Sequence, residues 1–155
     1  MVDAPSISTQ PEPASAVLDV RLASDMENLP SLMQQLQAFA KQHAWQETES
    51  MQMQLMVEEL VVNAITHGAN GRLNAWLRLV VRHSEQSIDL ELTDNGIAFD
   101  PLSANAPDFD LALESREVGG LGIHFVRQMA DAAHYVRTQY AGEAINQLRI
   151  SKKRV

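Results

Sequence analysis

The sequence predicts an α+β fold, a two-layer α/β sandwich in which a mostly antiparallel, mixed sheet is covered on one face by helices. Apolar and polar residues alternate over 75–82 and again over 87–93, which is the period of half-buried strands. Only residues 83–86 join the two runs, so a hairpin of antiparallel neighbours is expected. Helical spacing of apolar residues over 29–40 and 48–67 supplies helices that must share one face of the sheet.

The first half of the chain begins with an alternating run over 17–22 that predicts a strand. The stretch from Ser24 to Glu27 fits a capping box before the first helix. Pro30 is compatible with a first helical turn, so the helix is expected to begin near Asn28. Gly68 is placed to end the second helix, predicted over about 48–67.

The second half contains a loop over 100–118, with one helical turn expected at 111–114. A third helix follows the Gly119-Gly120 pair. Two strands, over about 134–140 and 144–151, close the chain, with a turn at Ala141-Gly142.

Composition restricts the possible functions. The 155 residues fit one domain, with 1–16 as a flexible, Pro-containing leader and 17–155 as the folded part. A net charge of −8 argues against a nucleic-acid or anionic-membrane surface, since such partners are bound through an excess of Lys and Arg. The absence of cysteine excludes disulfides and thiolate metal sites. No apolar run approaches the roughly 20 residues of a membrane span, and a cytoplasmic protein is expected.

The second predicted helix carries a first candidate site. Glu59, Asn63 and His67 are spaced i, i+4, i+8, which places them along one stripe of a helix. An amide oxygen is a hard ligand suited to magnesium, and a carboxylate one turn away can orient or deprotonate a nucleophile. The alternative is a solvated Glu59, a backbone-bonding Asn63 and a His67 that stabilises the helix C-terminus.

A second candidate site follows the strand over 87–93. Asp94 comes at the end of this strand and Gly96 directly after it. A carboxylate beside a glycine turn can accept a hydrogen bond from an exocyclic amine, and Gly96 permits a positive φ and the close approach of a ligand. A plain Asp-Asn-Gly turn remains the alternative.

The third candidate site is the glycine cluster that opens the third helix. Gly119, Gly120 and Gly122 leave free backbone N–H groups at a positive helix end, which favours an anion such as phosphate. No Gly-Lys-Ser/Thr follows, so this is not a Walker A loop. A flexible joint is the alternative for the cluster alone, but the order and setting of all three motifs together favour a nucleotide site.

Together these motifs resemble the GHKL (Bergerat-fold) ATPase superfamily over nearly the whole of 17–153. The run over 116–123 is similar to the small anti-sigma factor serine/threonine kinases, which bind a sigma factor and phosphorylate a STAS-type anti-anti-sigma protein. The resemblance implies ATP and Mg2+ as cofactors and a homodimer. It implies Glu59 as general base, Asn63 as magnesium ligand and Asp94 as acceptor of the adenine amino group.

The resemblance assigns the remaining site residues by group. Those that shape the base pocket are Gly96, Ala98 and Phe99, and those that offer backbone amides to the phosphates are Gly120, Leu121 and Gly122. Arg116 is expected to contact the terminal phosphate. Asn146 stands near the position where much of the superfamily has a Thr that closes the adenine site, and it is expected to take that place.

Two other functions are compatible with these motifs. One is a non-catalytic ATP-binding partner-switching module in stress signalling. The other is the catalytic domain of a histidine kinase, which is less favoured because the five histidines are scattered and the leader is Pro-rich rather than helical.

Overall fold

A computed structural model describes residues 16–103 and 120–154 and contains one five-stranded sheet. The strands are β1 (Ala16–Ala23), β2 (Trp76–His83), β3 (Ser87–Asp94), β4 (Ala132–Tyr140) and β5 (Glu143–Lys153). Their order in the sheet is β1-β2-β3-β5-β4, and every pair of neighbours is antiparallel. The predicted α+β sandwich is therefore confirmed, although the described sheet is antiparallel throughout rather than mixed.

The two predicted hairpins are present. In β2 the residues Leu77, Leu79 and Val81 are buried, as their alternation predicts. The turn between β4 and β5 has left-handed backbone at both central positions, with φ of 51° at Ala141 and 78° at Gly142. Two successive positive φ values match the twist of paired strands, and glycine accepts this conformation without steric cost.

The helices α1 (Leu29–Gln42), α2 (Glu47–Asn63) and α3 (Gly120–Met129) pack on one face of the sheet. Their inward side chains form a single aliphatic and methionine core with β2, β3 and β5, in which Leu32, Leu36, Met53 and Met56 are completely buried. Each such side chain contributes about 1.5–3 kcal/mol to folding. This packing fixes α2 in the middle of the helical layer.

The predicted capping box before α1 is wrong. A 3-10 turn (Met26–Asn28) precedes the helix, and its cap is Asp25, whose carboxylate accepts the backbone N–H of Glu27 at 2.9 Å. The hydroxyl of Ser24 is buried without a hydrogen-bond partner in the described part of the chain. Pro30 lies in the first turn of α1, as predicted.

The end of the second helix also differs from the prediction. After Asn63 the chain widens into a π-helical segment (Ala64–Ala69), and the Asn70 N–H donates to the Ile65 carbonyl at 3.2 Å, a bond spanning five residues. Asn70, with φ of 42°, ends the helix instead of Gly68. The stripe predicted for Glu59, Asn63 and His67 requires regular α-helical spacing, which the π-helical segment interrupts before His67.

The opposite face of the sheet is polar. Arg78 and Asp19 form a bidentate ion pair, with the closest N–O distance 2.6 Å, and Glu91 lies between Arg149 and Arg82. This face therefore suits solvent. Within 16–103 and 120–154, no helix is long and apolar enough to cross a bilayer.

Candidate functional site

The last turn of α2 holds Glu59 and Asn63 side by side. The Asn63 Nδ2 donates to Glu59 Oε1 at 3.5 Å, and Asn63 is buried while Glu59 is partly exposed. Burial raises the pKa of Glu59, the like charge of Glu58 adds to the rise, and the hydrogen bond from Asn63 opposes it. A carboxyl with a raised pKa beside a polar amide is suited to accept a proton.

The first turn of α3 lies directly against Glu59. A Cβ atom built at Gly122 would lie 1.9 Å from Glu59 Cδ and 2.1 Å from its Oε1. Only a glycine leaves space for the carboxylate at this point. The glycine cluster thus brings the N-terminal end of α3, where free N–H groups attract anions, to the carboxylate and amide of α2.

Asp94 lies at the end of β3 and is buried. Its Oδ1 accepts the Gly96 N–H at 2.8 Å and the Asn146 Nδ2 at 3.0 Å. Burial raises the pKa of Asp94, and the hydrogen bonds from Asn146 and Gly96, followed by the charges of Arg137 and Arg72, oppose that rise. These two hydrogen bonds therefore hold the buried carboxylate in one orientation.

Gly96 serves close packing within the protein. Gly96 does not adopt the positive φ that a glycine permits, since the described glycines with positive φ are Gly71 and Gly142. A Cβ at Gly96 would lie 2.5 Å from the carbonyl carbon of Gly68, and the Ile97 N–H donates to the Gly68 carbonyl at 3.0 Å. The two glycines join the π-helical segment to the turn after β3, which accounts for Gly68 better than a helix stop does.

A small pocket lies between these elements. It is lined by Leu60, Asn63, Ala64, Gly68, Leu92, Asp94, Phe99, Pro101, Tyr135, Asn146 and Leu148. Its volume is about 20 Å³, which is room for about one water molecule, so a nucleobase enters only if the lining moves outward. At its edge the Phe99 ring stacks on His67, with centroids 5.0 Å apart and planes 22° from parallel.

A larger cleft, of about 460 Å³, lies on the polar face of the sheet. Its walls include Arg82, Glu91 and Arg149, whose charges are paired with one another. None of the predicted site residues lines this cleft, whereas four of them line the smaller pocket, which is therefore the candidate site.

The structure brings most of the predicted site residues together. Asn63, Asp94, Phe99 and Asn146 line one pocket, and Glu59 adjoins both Asn63 and the first turn of α3. Gly120 and Leu121 begin that helix, and Ala98 is exposed between Gly96 and Phe99. Arg116 and the predicted turn at 111–114 lie outside the described residues.

Two further residues contribute to the site, one in the lining of the pocket and one through hydrogen bonds to Gly96 and Asn146. Tyr135 lines the pocket, and Arg137 donates to the Gly96 carbonyl at 2.8 Å. Neither belongs to a local motif. Their alternation in β4 and their pairing with Leu148 and Asn146 of β5 put them on the helix-covered face, which is information that requires the strand register.

Comparison with known proteins identifies the family. The family model described as "Histidine kinase-like ATPase domain" matches residues 22–152 of this chain. The chain belongs to the histidine kinase-like ATPase domain family. This bears out the resemblance to the GHKL ATPases.

This histidine kinase-like ATPase domain is similar to the serine/threonine-protein kinase BtrW of Bordetella bronchiseptica. The two are 26% identical over 102 residues, which cover 66% of this chain and 72% of that protein. Among solved structures, the histidine kinase domain of the blue-light activated histidine kinase from Erythrobacter litoralis EL346 matches with a TM-score of 0.38 and 17% identity. That match covers 65% of this chain and 43% of the other.

Proposed function

We propose that this ATPase domain is an ATP-dependent protein serine/threonine kinase and anti-sigma factor, which phosphorylates a STAS-type anti-anti-sigma protein and sequesters a sigma factor in the cytoplasm. One observation carries the kinase part of the proposal. The Glu59 carboxylate lies against Asn63 on one side and against the first turn of α3 on the other. The residues proposed as base and as metal ligand, and the helix end proposed to bind the phosphates, therefore adjoin at one point.

In this proposal ATP binds with its adenine amino group on Asp94 and its phosphates toward the backbone amides of Gly120, Leu121 and Gly122. Glu59 accepts the proton of the attacking seryl or threonyl hydroxyl. The new bond forms between that oxygen and the γ-phosphorus, the bond from the γ-phosphorus to the β–γ bridging oxygen breaks, and ADP leaves. Phosphoryl transfer depends mainly on positioning and charge neutralisation, which this arrangement supplies.

The residues present fit a magnesium ion. Asn63 Nδ2 is directed to Glu59, so the Asn63 Oδ1 is the atom left to act as a hard oxygen ligand. Magnesium in nucleotide sites takes one or two protein oxygens and completes its shell with phosphate oxygens and water. When bound, the ion neutralises phosphate charge. No group of three or more metal-ligating His, Cys, Asp or Glu side chains occurs in the described segments, which is consistent with a site completed by the nucleotide.

The similarity to BtrW supports hydroxyl specificity, since that relative is named as a serine/threonine-protein kinase. The acidic balance of the chain favours a protein partner over nucleic acid.

The partners proposed are a STAS protein, a sigma factor and a second copy of this chain. Light scattering on the purified full chain, alone and mixed with the sigma factors and STAS proteins of its source organism, tests each association.

The kinase proposal is tested with Glu59→Gln and the matched control Glu58→Gln. Both substitutions remove one negative charge from neighbouring positions on α2, but Glu58 is exposed. With γ-labelled ATP and the STAS proteins, Glu59→Gln should lower phosphate transfer by about 10²–10⁴-fold, which is the usual contribution of a general base. Its ATP affinity should stay within about threefold of the unsubstituted protein, and Glu58→Gln should behave normally.

The alternatives give different results. Tight ATP binding without transfer to any STAS protein would indicate the non-catalytic partner-switching module. Label on a histidine, which is lost in acid and stable in base, would indicate a histidine kinase. Full transfer activity in Glu59→Gln would remove Glu59 as the base.

A further inference from the structure

A buried hydrogen-bond network surrounds Asn146 of β5. Asn146 is only 4% exposed. Its Oδ1 accepts three hydrogen bonds, from the Tyr135 hydroxyl at 2.5 Å, Arg137 Nη1 at 3.0 Å and the Phe99 N–H at 3.4 Å. Two of the three donors are side chains of β4, so this edge strand determines how the amide is oriented.

The amide nitrogen of Asn146 is also fully used. Its two N–H groups donate to Asp94 Oδ1 at 3.0 Å and to the Ile97 carbonyl at 2.8 Å. A carboxamide has two donor hydrogens, so Asn146 has none left for a ligand. A residue that contacts the base needs a free donor or acceptor. Asn146 would therefore act on a bound base only through Asp94, which it holds.

Asn146 holds the Asp94 carboxylate. Oδ1 of Asp94 is occupied by the Gly96 N–H and by Asn146 Nδ2. The hydrogen bonds of the described residues leave its Oδ2 as the acceptor for a ligand in the pocket. Arg137 strengthens this arrangement because it also donates to the Gly96 carbonyl at 2.8 Å, on the turn that presents the Gly96 N–H. The positive charge of Arg137 favours the ionised carboxylate as well.

We infer that Tyr135 and Arg137 are positioning residues for base selection, which act through Asn146 to keep Asp94 Oδ2 as an acceptor for an exocyclic amino group. This inference rests on the proposed nucleotide-binding function. With the carboxylate locked, a 6-amino purine gains a charged hydrogen bond. A 6-oxo purine places an acceptor there instead, and two acceptors repel. A carboxylate free to rotate would discriminate less between the two bases.

The test compares ATP with inosine triphosphate, which has an oxygen in place of the 6-amino group. Dissociation constants are measured by calorimetry with magnesium for the full chain and for Tyr135→Phe and Arg137→Met. The matched control is Arg149→Met, an arginine of the neighbouring strand that is paired with Glu91 on the polar face. The unsubstituted protein should prefer ATP by at least about tenfold, the usual value of one buried hydrogen bond to a charged group.

Each β4 variant should reduce the preference for ATP by about three- to tenfold, mainly through weaker ATP binding, and Arg149→Met should keep it. Equal weakening of both nucleotides, or an unchanged ratio, would overturn the inference while leaving nucleotide binding intact. Absence of binding of either nucleotide by the unsubstituted protein would overturn the proposed function and the inference with it. Tyr135→Phe removes a single hydroxyl, so its ratio of ATP to inosine triphosphate affinity tests the inference even if Arg137→Met does not fold.

Discussion

The contact between Gly122 and Glu59 makes Gly122→Ala a sharp test of the catalytic role proposed for Glu59. The new methyl group would lie 1.9 Å from Glu59 Cδ, whereas non-bonded carbon atoms pack at about 3.5 Å or more. The carboxyl group must therefore move by about 1.6 Å, the difference between these distances. It is the free end of a flexible side chain, so the movement costs little folding energy. A displacement of about 1 Å in a catalytic group can reduce the rate about 100-fold.

We therefore expect Gly122→Ala to lose about 100-fold in phosphate transfer and to be as stable as the unsubstituted protein or up to about 1 kcal/mol more stable, because alanine favours the helix. Transfer from labelled ATP and urea unfolding measure the two quantities. Gln128→Ala, at an exposed position of the same helix, controls for helix propensity. A Gly122→Ala protein with undiminished transfer would refute the role given to Glu59, or its placement against α3.

Three further predictions concern other parts of the molecule. Gly96→Ala should cost about 1–3 kcal/mol or more in the free energy of unfolding, measured in urea, because its methyl group would meet the Gly68 backbone at 2.5 Å, and backbone cannot yield as a side chain does. Burial raises the pKa of Asp94, so the folded state holds that proton more tightly. The associated stability is complete below the unfolded pKa and is lost as pH rises through the folded pKa, and urea titrations from about pH 3 to 7 should show this loss in the unsubstituted protein but not in Asp94→Asn. Arg78→Met should change the free energy of unfolding by less than about 1 kcal/mol, since Arg78 and Asp19 are each nearly half exposed; a larger loss in urea unfolding would contradict this.

The sequence predicted those parts of the fold that depend only on the local spacing of apolar residues. Leu77 and Leu79 alternate with polar residues, and this pattern alone predicts both the strand and its buried face. The predicted cap of the first helix was wrong by one residue, because Ser24 and Asp25 are adjacent and both are good capping residues. Their difference depends on how the chain leaves β1, which is a tertiary property.

The interior of the site depended on contacts between distant segments. The proximity of Gly68 to Gly96 requires the π-helical segment, and nothing in the spacing of residues 64–69 announces that wider turn. The hydrogen bonds of Asn146 likewise depend on the register that sets Tyr135 and Arg137 of β4 beside it. Motifs of single segments could name Asp94 and Asn63, but they could not show which side chains hold them.

The π-helical segment also constrains how this chain can vary in length. A wider turn accommodates one more residue than an α-helical turn of the same rise, so deletion of a single residue from Ala64–Ala69 should restore a regular helix. That deletion would turn the helix surface after Asn63 by roughly 100° and carry Gly68 away from Gly96. The proposed magnesium ligand on α2 and the proposed base-binding turn after β3 would then no longer be packed against each other, even though every proposed ligand was still present in the sequence.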